Sequence, residues 1–173
     1  PSRSAITFVR VEYIEGMSEL YVVPLAIEWG EREKLQSTYR GCAVAWVEGG
    51  ETAGVLYEAV NDRPFQRALL QAIGTRRQFH GEKSEVQGLR TRLARPILTL
   101  GEQKLEPSLV KTEQSNSSIV YGDKYFMKLF RRVEDGENVD LEVSRFLSDK
   151  TEFKNTPAVA GARTRGRDGR QCL

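Results

Sequence analysis

Histidine is nearly missing from this chain: His80 is the only one in 173 residues, and the two cysteines, Cys42 and Cys172, stand far apart. That shortage argues against a zinc or redox centre built on Cys and His at short spacing. With no paired cysteine pattern, a reduced, cytoplasmic compartment is the simplest expectation. No long uncharged apolar run is present, so no membrane span is expected. The opening Pro1-Ser2-Arg3-Ser4 has neither a signal-peptide pattern nor an initiator methionine, which suggests excision from something longer. Nor is there an excess of one charge. A net charge of +2 is too small to point to nucleic acid. The arginines of residues 163–170 have no aromatic residues between them, as a single-strand surface would want, and read as solvated surface.

What is there is ordinary for a globular protein: 39% hydrophobic and 29% charged residues. Residues 5–14 alternate as a strand, with Ile6, Phe8 and Arg10 set against Thr7, Val9 and Val11. A turn at 15–19 leads into a returning strand over 20–28, and Pro24 argues for an edge or a bulge there. Residues 31–39, with Glu31 and Glu33 near Glu28, read as a solvated connector. Strands are expected at 42–47 and 53–60, with Trp29 and Trp46 as packing residues. Asn61-Asp62 then caps a helix with Arg63-Pro64 in its first turn, Phe65, Leu69, Ala72 and Ile73 on one face, and Gly74 as its stop. This predicts an α+β fold. Residues 75–95 read as a polar, basic loop with a short strand near 86–89, and the first strand of a second unit is expected at 105–111.

The most informative stretch is residues 113–132, EQSNSSIVYGDKYFMKLFRR. It reads as a small polar loop, Ser115, Asn116, Ser117 and Ser118, then strand, a Gly122-Asp123 turn, and strand. Lys128 interrupts the second apolar strand. It shares a face with Phe126 and Phe130, because side chains alternate with period two. An ammonium so placed needs a partner or an anionic ligand; the alternatives are an edge lysine that blocks aggregation or a stem that snorkels to water. Residues 131–137 read as a charged loop. A helix follows, capped by Asn138 and with Asp140 favourable in its first turn. Val139, Val143, Phe146 and Leu147 form its apolar stripe, and Glu142 borders that stripe. A core-facing Lys128 and a core-edge Glu142 invite an ion pair; otherwise Glu142 is a solvated flank residue.

A strand lysine followed by a helix glutamate resembles the start of the N-lobe of a protein-kinase-like fold. The wording EQSNSSIVYGDKYFMKLFRR, DLEVSRFL and then Thr156-Pro157-Ala158-Val159-Ala160-Gly161-Ala162 resembles the maltokinase family, which also occurs fused to trehalose synthase. The resemblance covers residues 110–162. It implies a cap of antiparallel sheet over 1–99 and a partial N-lobe over 100–162. It further implies that Ser115, Asn116, Ser117 and Ser118 cover nucleotide phosphates, that Lys128 contacts them and that Glu142 orients Lys128. The tail over 163–173, with Gly166, Gly169 and four arginines and little to bury, reads as poorly ordered.

In that family the catalytic base and the Mg2+ ligands lie in a second lobe, in a His-Gly-Asp loop and a later metal aspartate. This sequence has neither; His80 is followed by Gly81-Glu82 and lies upstream. By the resemblance, the chain stops where the inter-lobe hinge begins. The expectation is therefore a fragment of an ATP- and Mg2+-dependent enzyme converting maltose to maltose 1-phosphate, not competent alone, with no catalytic residue or metal ligand of its own. No ligand is expected bound to the fragment, and its partners would be the kinase C-lobe and a trehalose synthase domain. A non-catalytic docking cap, or the N-lobe of another small-molecule kinase, are the alternatives.

Overall fold

The computed structural model describes residues 3–49, 52–75, 78–80, 85–91, 105–110, 116–134, 136, 138–153, 155–165 and 171–172. The fold is α+β, built on three antiparallel sheets. The first contains β1 (Arg3–Val11), β2 (Glu19–Gly30), β3 (Ala43–Gly49) and β4 (Thr52–Glu58) in the order β1-β2-β4-β3. Two helices follow from its connections: α1 (Arg32–Tyr39) between β2 and β3, and α2 (Arg63–Gly74) after β4 and a 3-10 turn at Ala59–Asn61. The second sheet joins β5 (Phe79–His80) and β6 (Glu85–Arg90) to β11 (Gly161–Arg165) and β12 (Gln171–Cys172). The third is β7 (Pro107–Val110), β8 (Asn116–Tyr121) and β9 (Tyr125–Phe130).

Alternation decides which side of each strand is buried. On β2, Val22 and Ala26 are buried, and Ile6 and Phe8 of β1 and Val55 and Tyr57 of β4 lie on the same face. Phe65 and Leu69 of the predicted α2 face join this cluster, and Ala72 and Ile73 of the same face are buried as well. Ile119, Tyr121 and Leu129 of the β8–β9 hairpin complete the same cluster. One core therefore joins residues assigned by sequence to a cap and to a separate lobe. Tyr121 reinforces the junction by donating its hydroxyl to the Gln66 carbonyl of α2 at 2.7 Å, and burial pushes its phenol pKa up.

Three expectations are corrected. Residues 31–39 are not a plain connector, since Arg32–Tyr39 is helical and buries Leu35; a single apolar residue per turn is too weak a signal at that length. Pro24 lies in a central strand, not at an edge. Its second flank is open where it sits: β4 pairs with β2 from Leu25 onward, and β10 (Arg132–Val133) pairs only with Tyr21 and Leu20. Val22 donates its N–H to the Arg131 carbonyl on that flank at 2.7 Å. Two residues further on, the proline nitrogen therefore faces the gap between partners, where no ladder bond is lost. The 163–173 tail is not unstructured throughout: Arg165 and Thr164 pair with Gln171 and Cys172, and Arg163 is buried. The expected boundary at 99/100 lies outside the described residues.

Candidate functional site

The hairpin predicted from Gly122-Asp123 forms, with Gly122 in the left-handed region at φ +57°. A Cβ there would also sit 3.0 Å from Leu105, so both backbone and space favour glycine. The strands pair Ser118 with Lys128, Val120 with Phe126 and Asn116 with Phe130 on one face, and Ser117 with Leu129 and Ile119 with Met127 on the other. The second face is the core face. Lys128 is therefore not core-facing as expected: it points away from the buried cluster, with Phe126 beside it 59% exposed.

The helix predicted downstream is α3 (Val139–Lys150), and its cap is as expected: the Asn138 side-chain oxygen accepts from the Leu141 N–H at 3.2 Å. Its first turn reaches Lys128, but through a different acid. Lys128 Nζ lies 3.1 Å from Asp140 Oδ2, and the Glu142 pairing is not formed. Two residues on a helix are separated by about 200° of rotation, so Asp140 and Glu142 cannot both face the same strand. The Phe130 ring adds a cation–π contact, its centroid 5.4 Å from Nζ. The pair is open to water, with side-chain exposures of 36% and 62%, and such a pair contributes about 1 kcal/mol or less.

The polar loop is the larger correction. Asn116, Ser117 and Ser118 belong to β8, not to a loop; Ser115 lies outside the described residues. Ser118 is fully buried and Ser117 nearly so, and their strand is paired on both sides, with β7 and with β9. A phosphate-covering loop needs free amides and access; Ser118, paired on both flanks, offers neither, and Ser117 is buried from access. Ser117 instead holds an arginine in place: its hydroxyl accepts from Arg131 Nε and Nη2 at 3.2 and 3.0 Å.

Arg131 is a residue that sequence reasoning misses by placing it in a charged loop. It lies between the end of β9 and the start of β10, and its Nη2 is 2.7 Å from Glu58 Oε1 of β4. The signal is present in the alternation, since Met127 and Leu129 face the core and Arg131 continues their series; an arginine aimed inward needs a carboxylate. Among the described residues no group of three or more His, Cys, Asp or Glu side chains could hold a metal ion, and no helix is long and apolar enough to cross a membrane. No protein-family model matches the chain.

Proposed function

We propose that this chain is the cap and the first part of the N-lobe of an ATP-dependent maltokinase, with the catalytic base and metal ligands supplied by residues beyond it. The observation that carries the reading is the Lys128–Asp140 pair at 3.1 Å, a strand lysine held by an acid in the first turn of the next helix. It supports the lysine–acid arrangement the motif wording implies, with Asp140 in the place expected for Glu142. An exposed stripe on α3, where Val139, Val143 and Phe146 are 49–68% open, further supports it, as a junction to a second lobe would leave such a face.

The fit to ATP is partial. Lys128 can offer its ammonium to a phosphate, because its surface pair is weak enough to exchange. Ser117 and Ser118 do not fit, being buried in a paired strand. Of the other two residues expected to cover phosphates, Ser115 lies outside the described residues and Asn116 is half-buried. ATP would supply the phosphoryl group and Mg2+ its charge neutralisation; this chain's contribution is the cationic contact and its positioning.

The test is Lys128→Met in the intact gene product. Maltose-dependent ATP consumption is expected to fall about a hundredfold or more, and an unchanged kcat/KM overturns the assignment. The Arg131 bridge from Ser117 to Glu58 favours a second reading, a non-catalytic docking cap whose hairpin is structural. An intact product that never consumes ATP with maltose selects that reading.

A further inference from the structure

The first sheet has two apolar faces and one visible cover. An antiparallel sheet with one face in water normally alternates apolar and polar residues. β2 does not: Val22 and Ala26 point inward, while Val23, Leu25, Ile27 and Trp29 point outward. Val9 of β1 and Leu56 of β4 lie on that same outer face by register. Among the described residues, neither buried cluster includes a side chain from it. Val9 and Trp29 are 42% and 45% exposed. The Trp29 ring is held flat against the sheet, because Gly49 and Gly54 leave it room: a Cβ at either would come within 2.8 Å of it.

We propose that this outer face stacks on the same face of a second copy of the chain, as a two-fold dimer. Area and charge both point to a second copy. The four strands hold 9, 12, 7 and 7 residues. At about 4.8 Å between strands and about 3.4 Å per residue their footprint is on the order of 500 Å². Two such faces bury about 1,000 Å², the lower bound for a specific interface. An isologous interface must tolerate itself. Glu58, beside Leu25 at the end of β4, is already paired with Arg131 at 2.7 Å, so a two-fold does not set bare carboxylates against each other there. The start of β2 holds both signs, Arg132 Nη1 lying 3.0 Å from Glu19 Oε1, so acid can meet base across the axis. Sheets stacked in this way align within about 30°. The dimer does not depend on the kinase reading.

Sedimentation velocity on the chain, from ~1 to ~100 µM, tests it, with a dimer expected to grow in across that range, as suits an interface at the small end. Ile27→Lys is expected to weaken the dimer by about tenfold or more. Val9→Lys, at a more exposed position, serves if Ile27→Lys fails to fold by circular dichroism. Phe146→Lys, on α3, is expected to leave the dimer intact. A monomer throughout overturns the proposal. So does a dimer that survives both outer-face lysines in folded protein, or one that only Phe146→Lys dissociates.

Discussion

Single residues show how far a side-chain role follows from its position. That Lys128 invites an anion was legible, because an ammonium between Phe126 and Phe130 is satisfied by a partner or by reaching water. Which anion was not, because the rotation of α3 about its axis selects Asp140 over Glu142. Glu19 gives the sharper residue-level prediction. Its Oε2 accepts from the Tyr13 and Tyr21 hydroxyls, each at 2.7 Å. Those two hydrogen bonds, Tyr13 first, and then the Arg132 charge hold its carboxyl below the usual range. A depressed carboxylate contributes stability above its unfolded pKa of about 4.3, and the contribution is lost as pH falls through the folded value. Tyr13→Phe is expected to move the Glu19 titration upward, read by carboxyl carbon NMR, and to reduce the acid sensitivity of folding. An unshifted Glu19 contradicts the assigned cause.

At the scale of elements, periods were reliable, while caps and faces each held for one helix and failed for the other. Asp62 takes the N-cap position of α2 without a side-chain cap bond, and Gly74 lies inside that helix with Thr75 as its C-cap. Asn138 caps α3 as its residue type requires, and Asn138→Ala is expected to cost about 1 kcal/mol in urea denaturation. The α3 stripe has helical spacing, yet Val139, Val143 and Phe146 are exposed. Spacing shows that apolar residues share a face and is silent on what meets it. α2 differs because its face is covered, by the shared cluster at Phe65 and Leu69 and by the neighbouring β6, β7 and β11. Trp29 and Gly54 are directly paired across β2 and β4, and the ring occupies the volume a Cβ would take. Gly54→Ala is therefore expected to destabilise by about 1–3 kcal/mol, the usual cost of overpacking. Denaturant midpoints measure it, with a shift in tryptophan emission as the ring is displaced.

The whole molecule has its main core at the seam of the two units expected from sequence. Ile119, fully buried, sits in one cluster with Val55, Tyr57 and Leu69; Ile119→Ala is expected to cost about 2–5 kcal/mol. Because the cluster is shared, calorimetry is expected to show residues 1–75 and 105–134 melting in one transition, and two separate transitions would contradict the shared core. Local rules, each acting over a few residues, let the sequence alone determine the α+β class, the β1–β2 and β8–β9 hairpins, α2 with its buried face, and the α3 cap. Tertiary structure decided the rest. It placed Ser117 and Ser118 inside a paired strand, gave Lys128 to Asp140, tied Arg131 to Glu58, and brought β11 beside β6. Each of these depends on distances between segments remote in sequence, and alternation can name the two faces of a strand without saying which one the rest of the chain will cover.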